Sequence, residues 1–255
     1  VDKAGVLAIC PLYLEQYDDT RLFSYRGEYL KTLRAPVLQQ TLAKKARKKL
    51  RAKIFQLIDQ LAAEHNAQKC TFIIDPLCAR DASEEYNYLQ QYGYIDASMT
   101  TSVIDLRESE ADLRTNLRKS FKSIINKSSR EFEQHILDHN SYEDQIFKDY
   151  VEMHHKAAGR ITRPQETFQL QADMIKENEA ILIGMKKDGV WRAFGFFMHT
   201  SFSAYYASGA VDPDYVMVTD AHLIQWLAIN HYKNEGLERL ELDNQYFGPQ
   251  MFEHP

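Results

Sequence analysis

In the run Ala204–Val211, AYYASGAV, two tyrosines are followed closely by a glycine. Successive side chains of an extended chain point to opposite sides, so one of Tyr205 and Tyr206 faces a core and the other a cleft. A cleft-facing Tyr206 can give its phenolic proton to a leaving group, or it can only pack with its hydroxyl satisfied. Gly209 can mark a bulge or admit a ligand close to the backbone. His222 falls in the first turn of a helix, where the dipole favours neutral imidazole and hence a general base; its alternative is an ordinary surface position. Asp243 ends the final apolar strand, where it can orient an amine or simply begin a turn.

Cations form a second set. Arg160 and Arg163, in GRITRP, offer two guanidinium forks to a phosphate or carboxylate; ordinary loop salt bridges are the alternative. Arg118, Lys119, Lys122 and Lys127 lie on one basic helical stretch that suits a nucleotide-sugar, a lipid diphosphate or tRNA, or else a solvated face. Lys44–Lys53, KKARKKLRAK, holds seven cations and no acid, a surface for nucleic-acid phosphates or for water. The loop after Val211 is of the opposite sign. It contains Asp212, Asp214 and Asp220 with no Gly, Arg or Lys up to the helix, a poor setting for a diphosphate.

Adjacent His154 and His155 diverge by about 100° on a helix, and no Cys/His spacing suggests a metal. Three cysteines, Cys10, Cys70 and Cys78, without a CxxC pattern, predict a reduced cytoplasmic protein. The 255 residues allow one large or two modest domains. The sequence shows no stretch near the ~18 apolar residues of a membrane span and no signal-peptide layout.

Several elements must position these residues. Periodicity predicts a strand at Val6–Leu14 interrupted by Pro11, then a long helix over Val37–Ala63 burying Leu42, Ala46, Leu50, Ile54, Leu57 and Leu61. A strand over Gln68–Asp75 and a short helix over Glu84–Gln91, ending near Gly93, follow. Next come a strand at Met99–Leu106, a helix entered at Ser109 and running to Phe132, and helices at Tyr142–Lys156 and Pro164–Glu177, with Pro164 in the first turn. The last third reads strand Ala180–Lys186, an Asp-Gly hairpin, strands Val190–His199 and Ser203–Val211, helix Thr219–Asn234 closed by Gly236, and strand Leu237–Leu242. A helical crossover makes the last two strands parallel, so the sheet is mixed.

Four stretches carry a family resemblance: TSVIDL at 101–106 followed by LRKSFKSIINKSSREF; Glu179–Gly189 with Trp191–Met198; AYYASGAV; and LIQWLAINHYKNEGLERLELD at 223–243. Together they resemble the Fem-type branch of the GNAT superfamily, which includes the peptidoglycan-bridge aminoacyltransferases. The resemblance implies an α/β (α+β) fold of mixed sheets flanked by helices, in tandem GNAT-like halves. Residues 1–98 would form a degenerate first half and residues 99–255 the catalytic half, which the branch usually continues into another strand beyond the point matching Pro255. The sequence departs from the branch at Val216, Thr219 and Ala221, where acyl-coenzyme A enzymes have a basic or amide residue and glycines. It also has Lys122 and Asn126 where arginines are usual, while Lys127 matches.

The resemblance implies an acyl- or aminoacyltransferase that forms an amide on an amino group of a cell-wall or polysaccharide precursor. No permanent cofactor is expected; the donor is an aminoacyl-tRNA or an acyl thioester. The acceptor is a small or lipid-linked amino-sugar or peptide, reached in solution or at a membrane surface. Tyr206, Asp243 and His222 are the expected catalytic residues, and Arg160, Arg163, Arg118, Lys122, Lys127 and Gly209 the expected substrate contacts. The alternatives are a conventional acyl-coenzyme A N-acyltransferase and a non-catalytic RNA-binding module.

Overall fold

The structure is a computed structural model that describes residues 5–12, 14–17, 20–23, 33–39, 41–67, 69–73, 87–96, 100–215 and 221–245. Contacts divide the chain into two compact units, Val1–Ser98 and Met99–Pro255.

The first unit contains short strands and one long helix. Its strands are β1 (Ala8–Ile9), β2 (Leu14–Tyr17), β3 (Thr20–Phe23), β4 (Leu33–Arg34) and β5 (Val37–Leu38), then β6 (Lys69–Cys70) and β7 (Phe72–Ile73) after helix α1 (Lys44–Glu64). The expected first strand is split around Pro11, which has no amide hydrogen for a ladder. Val37 and Leu38 pair with Ile9 and Ala8, so α1 starts seven residues later than its apolar period suggests. Its inward face also differs from expectation. Arg51, Phe55 and Ile58 are buried, while Leu57 and Leu61 are 44% and 36% exposed. Aromatic packing decides this: Phe55 stacks on Tyr92 at 4.2 Å and meets Phe72 and Tyr94 edge-on. The expected strand at 68–75 divides between two sheets, β6 pairing with β3 and β7 with β4. Of the expected short helix, a 3-10 turn at Tyr88–Tyr92 falls within the described residues, closed by Gly93 at φ 83°.

The second unit is one six-stranded mixed sheet with helices on both faces. Its elements are β8 (Thr100–Asp105), α2 (Glu110–Asn116), α3 (Lys119–Glu131), β9 (Glu133–Leu137), α4 (Asp144–Ala158), α5 (Gln165–Lys176), β10 (Ala180–Lys187), β11 (Val190–His199), β12 (Ser203–Val211), α6 (Ala221–Asn234) and β13 (Arg239–Gln245). The strand order is β8-β13-β12-β11-β10-β9. β10, β11 and β12 form an antiparallel meander, and α6 carries the chain over to β13, parallel to β12. Asp188 and Gly189, at φ 53° and 75°, make the two-residue hairpin turn, and Gly236 at φ 80° follows α6.

Two cores hold this sheet. Ile181, Ile183, Phe197 and Leu240 pack with Leu223, Ala228 and Tyr232 of α6 on one face. Leu182, Phe194, Phe196 and Ala210 pack with Tyr150 of α4 and Phe168 of α5 on the other. Burial on both faces explains why β10 is an unbroken apolar run rather than an alternating one. Each fully buried large side chain contributes about 1.5–3 kcal/mol.

Some local predictions need correction. The helix entered at Ser109 is capped as expected, its hydroxyl accepting from the Asp112 amide at 3.1 Å. It then breaks at Leu117–Arg118, whose extended backbones turn the basic stretch into a separate helix; the partly buried Leu117 packs into the α6-side core there. Strand β9 was not foreseen, because Glu133-Gln134-His135 is polar and only Ile136 and Leu137 turn inward as it pairs at the sheet edge. Pro164 is the cap preceding α5 and not part of its first turn.

Candidate active site

The middle of the sheet opens at one place. β12 and β13 are in register for three pairs, Ser203↔Arg239, Ala204↔Leu240 and Tyr205↔Glu241. β12 then continues to Val211 beside β11, whereas β13 turns with β8 through Asn244↔Thr101 and Gln245↔Thr100. An extra residue on β13 between Glu241 and Asn244 lets it follow β8 away from β12. Beyond Tyr205, the ladder to β13 ends and a wedge opens between two parallel strands.

A second bulge sets what lines the wedge. Phe196 pairs with Ser208 and Phe197 with Tyr206, which leaves Ala207 as the extra residue on β12. Strict alternation would put Tyr206 and Ser208 on one face. The bulge separates them: Tyr206 joins the α6 side, and Ser208 pairs with Phe196 of the α4 side. The expected bulge at Gly209 therefore lies two residues earlier. Gly209 has a different task. A Cβ there would stand 2.0 Å from the Tyr206 hydroxyl, so the tyrosine ring lies along the strand with its oxygen over Gly209. The ring is held by Phe197, centroid to centroid 5.1 Å. Gly195, across the ladder from Gly209, makes room for Ile224 of α6, because a Cβ there would lie 2.5 Å from its methyl carbon.

On the α4 side, a polar network sits inside an apolar core. Tyr150 is fully buried and donates to Oε1 of the buried Gln171 at 3.3 Å; Ser208 hydrogen-bonds the same phenol. Burial pushes the Tyr150 phenol up, while Ser208, Arg163 and Gln171 act in the opposite sense. One turn along α4, His154 faces Thr162 of the α4–α5 loop, Nδ1 to Oγ1 3.4 Å. Burial first, then Arg163 and His155, push His154 down to about 4, so the imidazole is neutral. The positive charge of Arg163 thus lowers the proton affinity of both Tyr150 and His154.

The loop after β12 is not the bare acidic segment the sequence suggests. Asp212 is 3% exposed, with Lys156 Nζ at 2.7 Å from one carboxylate oxygen and Arg192 Nη1 at 2.8 Å from the other. Lys156 also lies 2.7 Å from Asp214. The hydrogen bond from Lys156, followed by those from Arg192 and the Asp214 amide, holds the Asp212 carboxyl below its ordinary range despite burial. Arg192 further covers the Tyr215 ring at 4.7 Å. These cations come from α4 and β11, far from the loop in sequence, so the expectation of an uncompensated acidic loop is overturned at Asp212. Residues 216–220, including Val216, Thr219 and Asp220, lie outside the described residues.

The other expected site residues separate into groups. Tyr206 and Gly209 touch each other, and Arg163 is half-buried in the α4–α5 loop just after Thr162. His222 is in the first turn of α6 as expected, stacked on Phe121 at 4.2 Å, and Arg118 lies 5.7 Å from the same Phe121 ring. Lys122 turns back to the Thr115 carbonyl at 2.9 Å, and Lys127 lies 3.8 Å from Glu131. Arg160 is exposed in the loop before α5, and the backbone of Asp243 lies on β13 at the bulge. In α1, Lys44, Lys45, Lys48, Lys49 and Lys53 are exposed, whereas Arg51 is buried with its guanidinium 3.9 Å over Tyr88.

Sequence reasoning missed Tyr150, His154, Gln171, Ser208 and Glu241 as site residues. Glu241 is 6% exposed at the vertex of the wedge and accepts from the Thr101 hydroxyl at 3.0 Å. A Glu between Leu240 and Leu242 was the available signal, since a carboxylate inside a core strand calls for a partner. Among the described residues, no group of three or more His, Cys, Asp or Glu is placed to hold a metal. No helix among them is long and apolar enough to cross a membrane.

No known protein-family profile matches the chain, and no curated protein matches its sequence. Solved structures do. FemX superposes with a TM-score of 0.66 at 11% identity, over 98% of this chain and 79% of its own. L-PGS from Bacillus licheniformis gives 0.59 at 11% identity, over 95% of this chain and 67% of its own. A tandem GNAT protein from the clavulanic acid biosynthesis pathway gives 0.50 at 12% identity, over 99% and 75%. The chain therefore has the mixed-sheet, tandem GNAT-like α/β fold of FemX and these neighbours.

Proposed function

We propose that this protein transfers an acyl or aminoacyl group to an amino group of a cell-wall, polysaccharide or lipid-linked acceptor. The parting of β12 and β13 after Tyr205↔Glu241 carries this reading, because it leaves the β12 backbone open to an activated carbonyl. In the reaction the amine nitrogen bonds to the donor carbonyl carbon, and the bond from that carbon to its carrier oxygen or sulfur breaks. The amine loses a proton and the carrier atom gains one. Tyr206, its hydroxyl over Gly209 in the middle of β12, is the proton donor to the carrier atom. Free amides of the opened strand would stabilise the oxyanion.

The likeness to FemX and to L-PGS, whose name denotes a lysylphosphatidylglycerol synthetase, supports an aminoacyl donor and an acceptor met at a membrane surface. A coenzyme A donor is the second reading. It is favoured by Lys156 and Arg192, which offset the negative charge that would otherwise oppose a diphosphate near Asp212. The test is direct: incubate the folded chain with charged tRNA and with acyl thioesters, each with aminosugar and aminolipid acceptors, and follow amide formation by mass spectrometry. Product from a tRNA donor supports the first reading, and micromolar coenzyme A binding with thioester-dependent product supports the second. Failure of every donor, with the fold intact by circular dichroism, removes the transferase reading.

A further inference from the structure

We infer that the outer face of α1 docks the protein on an anionic lipid bilayer, its lysines meeting the headgroup phosphates and its exposed leucines entering among them. At about 100° per residue, positions four apart form a shallow ridge along a helix. One such ridge on α1 reads Lys45, Lys49, Lys53, Leu57 and Leu61, and all five are exposed. Beside it runs a second row, Ala46, Leu50 and Ile54, of which the first is exposed and the other two half-buried. Arg51, Phe55 and Ile58 are buried on the inward side. The apolar residues of α1 therefore continue past the inward face to the water, and there the lysines border them.

The charge of this face is unbalanced. Lys44 through Ile58 includes no acid. Among the described residues no carboxylate pairs with Lys44, Lys45, Lys48 or Lys49, and Lys53 donates to the uncharged Gln56 at 3.3 Å. A surface of unpaired cations fits a polyanion, and the remaining side chains decide which one. Faces that grip RNA use arginine forks and open aromatic rings on which bases stack. On α1 the Arg51 guanidinium is buried 3.9 Å over Tyr88, and Phe55 is buried against Tyr92. What is left outward is lysine and leucine. Those two types seat an amphipathic helix in a headgroup layer, where long cationic stems reach the phosphates and leucine enters the acyl boundary.

Docking deepens the proposed meeting with an acceptor at a membrane surface, but it is measured with neither donor nor acceptor, so the two can fail separately. The full chain is sedimented with vesicles of phosphatidylcholine, with and without phosphatidylglycerol, and its affinity for tRNA is measured in the same buffer. Binding is expected only when phosphatidylglycerol is present, and should weaken as salt is added. Lys45→Gln, Lys49→Gln and Lys53→Gln together should weaken it at least tenfold, since each cation near a charged surface contributes about fivefold. Lys45→Arg, Lys49→Arg and Lys53→Arg together should retain it, which guards against a folding artefact. Leu57→Ser with Leu61→Ser should weaken it about tenfold with the circular dichroism unchanged. Absence of binding to phosphatidylglycerol vesicles overturns the inference. So does binding that survives the serine pair undiminished, or tRNA bound more tightly than the vesicles, since either marks a general polyanion face.

Discussion

Because the Tyr206 hydroxyl lies where a Gly209 Cβ would stand, substitution at one position acts on the other. Gly209→Ala should force the phenol off the strand and reduce transfer strongly, while circular dichroism and the melting temperature change little. Tyr206→Phe keeps the ring against Phe197 and removes the proton, so turnover should fall about 10²-fold or more with acceptor binding retained. His154 makes a further residue-scale prediction. It titrates at about 4 in the folded chain against 6.5 normally, so as pH falls the unfolded chain takes up the proton first. The stability owed to neutral His154 is complete above about 6.5 and is lost as pH falls toward 4. His199 and His231, lowered mainly by burial, act in the same sense. Urea midpoints should therefore drop between neutral pH and about pH 5, and His154→Gln should flatten part of that slope. An unchanged slope in the variant would count against a half-buried, neutral His154.

At the scale of elements, the two bulges are the devices that make a site out of an ordinary meander. One on β13 takes that strand off toward β8; the other, at Ala207, sends Tyr206 and Ser208 to opposite faces of β12. The far end of β12 is anchored by Asp212, which links it to α4 through Lys156 and to β11 through Arg192. Asp212→Asn should weaken both links and destabilise the second unit by about 1.5–3 kcal/mol, the usual range for charge-assisted hydrogen bonds. Chemical denaturation at neutral pH checks this. Since the Asp212 carboxyl titrates below its ordinary range, its contribution is present above that range and disappears only in stronger acid, so the variant and the parent should converge there.

For the whole molecule, the two units differ in how much core they possess. The second has two separate cores on the faces of one sheet. The described core of the first centres on Phe55, Ile58, Tyr88 and Leu89. Residues 99–255 expressed alone should therefore melt cooperatively with α/β circular dichroism, whereas residues 1–98 alone should be marginal. Non-cooperative melting of the longer piece would show that its cores depend on the first unit. The contrast matches how readable the halves are in sequence. Long apolar elements, β10, β11 and α6, are plain from the chain, because burial on most of their surface makes them near-continuous apolar runs bounded by turn residues. Two-residue strands such as β5 and β7 are not, because pairing with a distant segment decides them.

What the sequence determines by itself follows from local physics: the Asp188-Gly189 turn, the cap at Ser109, the meander, the crossover helix and the candidacy of Tyr206, Gly209 and Arg163. What only the tertiary structure decides is which of those residues meet. Register shifts of a single residue turned Ser208 toward Tyr150, and long-range pairing brought Lys156 and Arg192 to Asp212. A sequence records the types and spacing of residues along one chain. Strand register and the facing of side chains are properties of two segments packed together, set by which arrangement buries apolar surface while leaving the fewest polar groups and charges unmatched.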